Sequence, residues 1–252
     1  MTAPGRLLLV PNTLDLGTEA QVDLHEVLPQ AVIAQAAGLS HWVAENAKST
    51  RAFLKRVDRI VPLAQPLQGI DIRELPRPRK GQADEAPQDL GPLLVPALAG
   101  HDIGLLSEAG LPAIADPGAA LVAAAHAQGL VVLPMSGPSS LLLALAASGL
   151  NGQSFAFVGY LPVEATERAA RIRDLDVLSR RQNQTQLAIE TPYRNAALLA
   201  ALLQHLQPST RLSIACGLTL PGGWCRTLSV RAWRDAVPVL PDRLPAVFSW
   251  LG

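Results

Sequence analysis

The order of apolar and amphipathic segments predicts an α/β protein with two domains, in which the N-terminal sheet is mostly parallel and the C-terminal sheet is mixed. Short apolar runs alternate with helix-like segments over the first half of the chain, a pattern typical of parallel strands joined by right-handed crossovers. After residue 206, strand-like runs follow one another with little helix between them. The 252-residue length suits two small domains, which we expect at 1–135 and 136–252.

The first expected elements are a strand at 6–10, a helix at 22–36, a strand at 41–45 and a helix at 47–56. The first strand, RLLLV, is a short apolar run that stops at Pro11, which indicates a buried strand. Pro29 can interrupt the first helix and Gly38 ends it. The second helix is amphipathic, and Asn46 is placed to cap its first turn.

A charged, proline-rich segment follows at 72–92, with the sequence IRELPRPRKGQADEAPQDLGP. No hydrophobic periodicity runs through it, and its composition does not favour a packed element. We therefore expect a mobile loop or flap there.

Beyond this segment, strands and helices alternate regularly. The expected elements are a helix at 93–99, a strand at 102–107, a helix from Asp116 to Gln128, a strand at 130–134 and a helix from Gly137 to Ser148. In the second half they are a strand at 155–162, a helix at 164–182, a strand at 185–190, a helix from Thr191 to Leu206, and strands at 211–217, 225–233 and 245–251. The last three runs have little helix between them, which predicts the mixed sheet.

Three of these helices are expected to begin at a proline, in Asp116-Pro117, Gly137-Pro138 and Thr191-Pro192. Proline at the first helical position needs no N–H partner and has a suitable φ, and Asp116 and Thr191 can cap free N–H groups. A good helix start explains each turn alone. As a set, however, the turns follow strands at the carboxyl edge of an α/β sheet, where exposed amides bind a carboxylate or phosphate.

The loop after the first strand limits the ligand class. It reads PNTLDLG rather than G-x-G-x-x-G, and no G-x-x-x-x-G-K-[ST] loop occurs, which disfavours dinucleotides and nucleoside triphosphates. A ligand with one carboxylate and one cationic centre fits better, because amide-rich turns can take the carboxylate and acids such as Glu108 can face the cation. S-adenosylmethionine has both features and is compatible with this pattern.

The distribution of charge leaves the partner open. Lys plus Arg and Asp plus Glu number 21 each, so the net charge points to no polyanionic partner. No Lys or Arg lies between Lys80 and Arg168. A basic run then follows, made of Arg168, Arg171, Arg173, Arg180 and Arg181. Such a run is either a solvated helix face or a surface for an anionic substrate such as structured RNA.

The remaining composition predicts a soluble cytoplasmic protein without a metal site. Cys216 and Cys225 lack metal or redox spacing, which is typical of free cytosolic thiols. The five histidines are scattered. The first apolar run is too short for a signal peptide, and no stretch is long enough to span a membrane.

Four blocks, SEAGLPAIADPG, LPMSGPSSLLLALAASGL, FVGYLP and ETPYR, together resemble the tetrapyrrole (corrin and porphyrin) methylase superfamily. They are most similar to its branch containing the ribosomal RNA cytidine 2′-O-methyltransferases. The resemblance covers residues 6–232, with the blocks in the family's order. It implies two α/β domains with S-adenosylmethionine held in the cleft between them, in a homodimer.

The resemblance also implies which residues bind the cofactor. In the N-terminal domain they are Pro11, Asn12 and Thr13 in the first loop, and Glu108, Ala109, Gly110 and Asp116 in the loop for the methionine part. At the domain junction and beyond they are Ser136, Gly137, Pro138, Ser139 and Ser140, then Glu190, Pro192 and Tyr193, and finally Thr219, Leu220, Pro221 and Thr227.

The chain departs from this branch in three places. The first loop is PNTLDLG instead of a P-T-P-I-G-N-like loop, and SEAG stands where the branch has S-D-A-G. AENAKSTR stands in place of A-E-D-T-R, so Glu45 and Arg51 match while Asn46 replaces the acidic residue. These departures leave the cofactor assignment intact and leave the acceptor open.

Methyl transfer from a sulfonium is an in-line displacement, in which positioning alone supplies about 7–11 kcal/mol. If the acceptor is a ribose hydroxyl, Glu45 is the candidate general base, although a structural ion pair with Lys48 or Arg51 explains Glu45 equally well. The leading hypothesis is an S-adenosylmethionine-dependent methyltransferase acting on structured RNA. The alternatives are methylation of a tetrapyrrole or other small molecule, and a non-catalytic, cofactor-binding interaction protein.

Overall fold

The computed structural model describes residues 3–15, 18, 20–76 and 89–252. The chain divides into two compact units, one formed by Met1–Leu16 and Val22–Pro138 and the other by Gly17–Gln21 and Ser139–Gly252. In the described part of the chain, no helix is both long enough and apolar enough to cross a membrane.

The first unit is built on a five-stranded parallel sheet. Its strands are β1 (Arg6–Val10), β2 (His41–Ala44), β3 (Asp71–Glu74), β4 (Ile103–Leu106) and β5 (Val131–Pro134). Its helices are α1 (Leu24–Val27), α2 (Gln30–Ala37), α3 (Ala47–Asp58), α4 (Gly91–Leu98) and α5 (Ala119–Ala127). The strand order is β3-β2-β4-β1-β5, and every pair is parallel, which confirms the expected sheet.

Both faces of this sheet are covered, as is usual for parallel sheets. Leu8 and Trp42 belong to the cluster that α1, α2 and α3 cover, whereas Leu7 and Leu105 belong to the cluster beneath α4 and α5. Neighbouring Leu7 and Leu8 fall in different clusters because successive strand residues point to opposite faces. The continuous apolar run RLLLV is therefore what a strand buried on both sides requires.

The predicted helix starts in the first unit are partly confirmed. Asn46 caps α3, since its Oδ1 accepts hydrogen bonds from the N–H groups of Lys48 at 2.9 Å and Ser49 at 3.3 Å. The helix expected at 22–36 is broken at Pro29, which ends α1 and begins α2. The break follows from the missing N–H of proline and from its fixed φ.

The prediction of a loop over 72–92 is wrong at both ends. Residues 71–74 form β3, although their polar sequence does not indicate a strand. The backbone hydrogen bonds of parallel pairing with β2 stabilise this strand. As an edge strand, β3 can carry charged side chains facing solvent. α4 begins at Gly91, and residues 77–88 lie outside the described part of the chain.

The second unit contains a five-stranded mixed sheet. Its strands are β6 (Phe155–Phe157), β7 (Thr185–Ile189), β8 (Arg211–Cys216), β9 (Trp224–Ser229) and β10 (Ala246–Leu251). Its helices are α6 (Ser140–Ser148), α7 (Ala165–Gln182), α8 (Asn195–His205) and α9 (Val230–Asp235). The order is β6-β7-β10-β8-β9; β6 and β7 are parallel, and the other neighbours are antiparallel. The expected mixed sheet is thus confirmed.

The two faces of this second sheet are covered differently. Ile172 of α7, Leu202 of α8 and Phe248 of β10 share one apolar cluster. On the opposite face, Leu145 of α6 packs with Val247 of β10. Three helices, α7, α8 and α9, therefore contribute to one face, and α6 contributes to the other.

The helices expected to begin at a proline depart from that prediction. α5 follows Gly118, whose φ of 134° favours glycine, and the Asp116 side chain does not cap it. α6 has Ser139, not Gly137, at its N-cap. At the third site a 3₁₀ turn does begin at the proline, over Pro192–Arg194, but the Thr191 side chain makes no capping hydrogen bond.

The strand predicted at 225–233 is wrong in its second half. β9 ends at Ser229, whose hydroxyl accepts the N–H of Ala232 at 3.2 Å and caps α9. Trp233 of that helix is buried and donates its indole N–H to the Leu212 carbonyl at 2.8 Å. A capping serine inside an apolar run is the signal that distinguishes the helix from a continued strand.

Candidate functional site

The loops that follow β1, β2, β4 and β5 leave the first sheet at its carboxyl edge, because these strands are parallel. The residues predicted for the site in this unit lie on all four loops. They are Pro11, Asn12 and Thr13 after β1, Glu45 after β2, Glu108, Ala109, Gly110 and Asp116 after β4, and Ser136, Gly137 and Pro138 after β5. β4, β1 and β5 are neighbours in the sheet, which brings their loops together.

Asn12 joins the loops after β1 and β4. Its backbone N–H donates to the Gly110 carbonyl at 2.8 Å, and the Gly110 N–H donates to the Thr13 carbonyl at 3.4 Å. Its Nδ2 donates to the carbonyls of Ser107 at 3.2 Å and Glu108 at 3.1 Å, and its Oδ1 accepts the Thr13 N–H at 2.9 Å. The buried Asn12 side chain is thus fully used in holding the two loops in register.

An ion pair between Asp15 and Arg56 braces the first loop against α3, and sequence reasoning missed it. The guanidinium Nη2 lies 3.1 Å from Asp15 Oδ2, and it also donates to the Val22 carbonyl at 2.5 Å. Asp15 accepts further hydrogen bonds from the Thr13 hydroxyl and from the Val22 N–H at 2.9 Å. Burial raises the pKa of Asp15, but the hydrogen bonds from Thr13, Val22 and Arg56 outweigh burial and hold that pKa below its ordinary value.

Two glycines at this edge are required for different physical reasons. A methyl group on Gly137 would clash with Pro11, whose Cβ would lie 2.3 Å away, whereas one on Gly110 would meet its neighbours only at ordinary contact distances. Gly110 is required instead by its φ of 66°, which L side chains rarely adopt. The turn at Gly137 is therefore packed against the first loop, and both positions require glycine for physical reasons.

The loop between β4 and α5 carries backbone strain. Besides two glycines, Ala113 and Ala115 have φ values of 66° and 64°. The left-handed region costs a non-glycine residue about 1–2 kcal/mol. Such strain persists only where the surroundings impose it, and it is concentrated at ligand sites and switch regions.

Three carboxylates, from Glu45, Glu108 and Asp116, gather at this edge. Glu45 Oε2 accepts the Glu108 backbone N–H at 3.2 Å. Burial raises the pKa of Asp116 to about 6; the charges of Glu45 and Glu108 add to the rise, and a hydrogen bond with Ser107 opposes it. Mutual repulsion of this kind is relieved by a proton or by a cationic ligand. Within the described residues, no group of three or more His, Cys, Asp or Glu side chains could hold a metal ion.

In the second unit, β6, β7 and β8 run in the same direction, so the loops after them also leave at one edge. The Glu190 carboxylate is 6% exposed and pairs with Arg194 at 3.2 Å. It also accepts the N–H and hydroxyl of Thr191 at 2.8 and 3.3 Å. Glu190 therefore fixes the turn that begins at Pro192, whereas Tyr193 extends from that turn towards solvent.

The loop after β8 contains a buried hydroxyl without a partner. Thr219 has a φ of 65°, and its Oγ1 is buried without a hydrogen bond in the described chain. A β-branched residue is rare in this backbone region, and a buried unpaired hydroxyl calls for a physical explanation. Leu220 is buried beside it, and Pro221 is exposed. Strain together with an orphaned hydroxyl indicates a position that a ligand group could complete.

Of the other predicted residues of this unit, Thr227 lies in a strand, and Ser139 and Ser140 begin a helix. Thr227 is within β9, opposite Ser213, and its hydroxyl donates to the Ser148 carbonyl at 2.6 Å. That bond ties the end of α6 to the sheet. Ser139 is at the N-cap of α6 without a side-chain capping bond, and Ser140 is the first helical residue.

The basic run lies on α7 but does not form a single face. Arg168 and Arg171 are three residues apart and share one flank of the helix, whereas Arg173 and Arg180 are seven apart and share another. Arg180 pairs with Asp176 at 3.2 Å. The flank that the partly buried Arg168 shares with the exposed Arg171 is therefore separate from the rest of the run.

The comparisons with known proteins identify the family. A family model described as tetrapyrrole (corrin/porphyrin) methylases matches residues 33–223. Ribosomal RNA small subunit methyltransferase I of Mesorhizobium japonicum is 37% identical over 148 residues, which cover 58% of this chain and 49% of that protein. The protein of the same name from Streptococcus pyogenes is 31% identical over 203 residues, which cover 79% of this chain and 60% of that protein. The chain thus spans about half the length of the first of these relatives.

A solved structure supports the fold. The crystal structure of the methyltransferase CobJ aligns with a TM-score of 0.57 at 17% identity, covering 97% of this chain and 93% of that chain. At this identity the likeness concerns the fold alone, and it agrees with the parallel and mixed sheets described above. Because the family model covers more than half of the chain, the protein belongs to the tetrapyrrole (corrin/porphyrin) methylase family.

Proposed function

We propose that this chain is an S-adenosylmethionine-dependent methyltransferase and that its acceptor is ribosomal RNA. The observation that carries the proposal is the acidic edge of the first sheet. Asn12 joins the loops after β1 and β4, Glu45 reaches the loop after β4 from β2, and burial together with the charges of Glu45 and Glu108 raises the pKa of Asp116 to about 6. Family membership supports the methyltransferase activity, and the names of the relatives support ribosomal RNA as the acceptor.

The residues present fit this cofactor. S-adenosylmethionine, when bound, supplies an electrophilic methyl group on a positively charged sulfur and also carries an ammonium group and a carboxylate. The three carboxylates of the first unit complement the positive charges.

Glu45 is the residue proposed to accept a proton from the acceptor. Its carboxylate is oriented by the hydrogen bond from the Glu108 N–H at 3.2 Å, and a fixed orientation is what a general base requires. If the acceptor is a ribose 2′-hydroxyl, Glu45 takes the hydroxyl proton as that oxygen becomes methylated. The surrounding loops position the acceptor, and positioning is a large part of the rate enhancement in such a displacement.

The proposed RNA contact involves α7. Arg171 is exposed on the flank it shares with Arg168, and arginine side chains of this kind bind phosphates. Steep weakening of RNA binding by salt is the expected signature. A homodimer and a cytoplasmic location stay predictions from the sequence.

Transfer of a labelled methyl group tests the proposal. The full chain is incubated with methyl-labelled S-adenosylmethionine and, separately, with unmodified small-subunit ribosomal RNA, a tetrapyrrole mixture and no acceptor. We expect label in the RNA, located in an alkali-resistant dinucleotide if the ribose oxygen is the acceptor. Label in the tetrapyrrole alone would favour a small-molecule acceptor. Cofactor binding without transfer to any acceptor would favour a non-catalytic role.

A further inference from the structure

The chain has only two tyrosines, and both are exposed. The exposed fraction is 57% for Tyr160 and 74% for Tyr193. Trp42, Trp233 and Trp250, by contrast, are at most 1% exposed. Large aromatic rings contribute most to stability when buried, so the two exposed tyrosine rings leave apolar surface that a partner can cover.

The two tyrosines lie on neighbouring loops. β6 and β7 are parallel neighbours, and their pairing continues past β6 because the Ile189 N–H donates to the Gly159 carbonyl at 3.3 Å. Tyr160 directly follows Gly159, and Tyr193 lies in the turn that follows β7. Both rings therefore leave the second sheet from adjacent strands at the same edge.

The backbone beneath each ring is held by side-chain contacts. The turn carrying Tyr193 is fixed by the Glu190 carboxylate through Thr191 and Arg194. The segment after Tyr160 is fixed by Arg168, whose Nη1 donates to the carbonyls of Pro162 at 3.3 Å and Val163 at 2.8 Å. Exposed rings on supported backbone are pre-organised, which lowers the entropic cost of binding a flat group.

Positive charge lies next in sequence to this pair of rings. The loop carrying Tyr160 leads directly into α7, where Arg168 and Arg171 share a flank. Arg171 is exposed, and within the described residues it makes no hydrogen bond or ion pair. Aromatic rings beside basic side chains are the combination that binds single-stranded nucleic acid, because bases stack on the rings while cations meet the phosphates.

We propose that Tyr160 and Tyr193 form a stacking surface for unpaired bases of the RNA acceptor, with Arg171 placed for its phosphates. This inference rests on the proposed function and specifies a single-stranded segment as the part of the RNA that binds. The resemblance assigns Tyr193 to the cofactor instead. The high exposure of both rings favours RNA, because small-molecule sites enclose most of the ligand surface whereas single-strand platforms are open.

The test measures binding of a fluorescein-labelled oligocytidylate to the full chain by anisotropy, with an abasic oligonucleotide of the same length for comparison. We expect Tyr160→Ala and Tyr193→Ala each to weaken binding about tenfold, since base–aromatic stacking accounts for roughly that much per base. Tyr160→Phe and Tyr193→Phe should bind as the wild type does, because the ring is kept. Val177→Ala, at an exposed apolar position of α7, is the matched control and should change nothing.

Titration of the same variants with S-adenosylhomocysteine separates the two ligands, and we expect its affinity to be unchanged. Wild-type oligonucleotide affinity in both alanine variants, or equal wild-type affinity for the abasic strand, would overturn the proposal. Loss of S-adenosylhomocysteine binding in these variants would also overturn it and would assign the rings to the cofactor. These binding readouts need no methyl transfer, so their outcome is independent of whether the wild-type chain methylates RNA.

Discussion

The loops at the carboxyl edge of the first sheet are bound to one another, whereas those at the corresponding edge of the second sheet are fixed separately. In the first unit, Asn12 and Glu45 each reach across to the loop after β4. In the second unit, Glu190 bonds within its own turn and Arg168 bonds to the segment just before α7. The first edge thus carries a compact set of acidic side chains, and the second carries the exposed rings of Tyr160 and Tyr193.

Sheet topology explains this difference. β4, β1 and β5 are adjacent and all parallel, so their loops leave the sheet side by side. In the second sheet the antiparallel β10 lies between β7 and β8, which separates the loops that follow those two strands. A fully parallel sheet therefore suits a small charged ligand that several loops must enclose. A mixed sheet leaves loops free to meet an extended partner.

The largest expected effect comes from removing the brace of the first loop. Arg56→Ala removes the guanidinium that pairs with the Asp15 carboxylate, which is 7% exposed. Because deleting one partner of a buried ion pair is costly, we expect the free energy of unfolding of the first unit to fall by about 3 kcal/mol. Urea denaturation followed by circular dichroism measures the change.

Lys55→Ala, on the same helix at an exposed position, is the matched control and should change stability by about 0.5 kcal/mol or less. The pKa of Asp15 is lowered by folding, so its contribution is present above the ordinary value of 3.8 and is lost as the pH falls through the lower folded value. The difference between Arg56→Ala and the wild type should shrink in acid. Equal losses of stability in Arg56→Ala and Lys55→Ala would show that the ion pair between Asp15 and Arg56 does not stabilise the first unit.

The second prediction compares two asparagines. Asn12→Asp removes the donors to the Ser107 and Glu108 carbonyls and sets a buried negative charge against those carbonyl oxygens, so we expect a loss of about 2–3 kcal/mol in stability. Asn151→Asp also loses one amide donor, to the Asn183 carbonyl at 2.6 Å, but at an exposed site, and should cost less than about 1 kcal/mol. Parallel urea titrations measure the stability of both variants. A larger loss of stability in Asn151→Asp than in Asn12→Asp would contradict the structural role assigned to Asn12.

The third prediction concerns the pH dependence set by Asp116. Its folded pKa of about 6 lies above the ordinary value of 3.8, so the folded state binds a proton before the unfolded state does as the pH falls. The ionised group therefore destabilises the fold above about pH 6, and this penalty disappears by about pH 4.

Asp116→Asn should be more stable than the wild type by roughly 1–3 kcal/mol near neutral pH and equally stable near pH 4. Thermal unfolding across that range measures the difference. Glu74→Gln, at a carboxylate that accepts the Ala47 N–H at 2.7 Å outside the acidic set, provides a comparison and should show no gain at neutral pH. A wild-type advantage at neutral pH would show that the three carboxylates do not repel one another.

The smallest expected effects concern the strained backbone at both edges. Ala113→Gly in the first unit and Thr219→Gly in the second relieve left-handed φ values of 66° and 65°, so each should stabilise its unit by about 0.5–1 kcal/mol. Ala123→Gly, at an exposed position inside α5, should instead cost about 1 kcal/mol. Denaturation midpoints measure all three changes in stability. If all three glycine variants were stabilised, or all three destabilised, the backbone strain assigned to Ala113 and Thr219 would be contradicted.

Local patterns predicted much of this fold. The apolar run at 6–10, the Asn46 cap and the helix over 164–182 were predicted because a few adjacent residues decide them. The start of α5 differs from the prediction because Pro117 still belongs to the turn before the helix. The helix begins only after Gly118, whose positive φ ends that turn. β3 was missed because its pairing with β2 stabilises a polar segment without periodicity.

The site was predictable where the family blocks supply it and unpredictable where distant residues meet. The resemblance pointed to Asn12, Glu108 and Gly137, which the structure brings to one edge. The pairing of Asp15 with Arg56 spans 41 positions in the chain, and no local pattern links them. The repulsion that shifts the pKa of Asp116 likewise depends on how two separate strands align, because Glu45 follows β2 and Glu108 follows β4.

Calorimetric titration of the full chain with S-adenosylmethionine, at about pH 8 and about pH 5, tests the central claim most directly. We predict binding at one site at the higher pH and affinity lower by about tenfold at the lower pH, because protonation of Asp116 removes a charge that attracts the cation. Absence of binding at the higher pH, or unchanged affinity in the Asn12→Asp variant while it remains folded, would contradict the assignment of this edge to the cofactor.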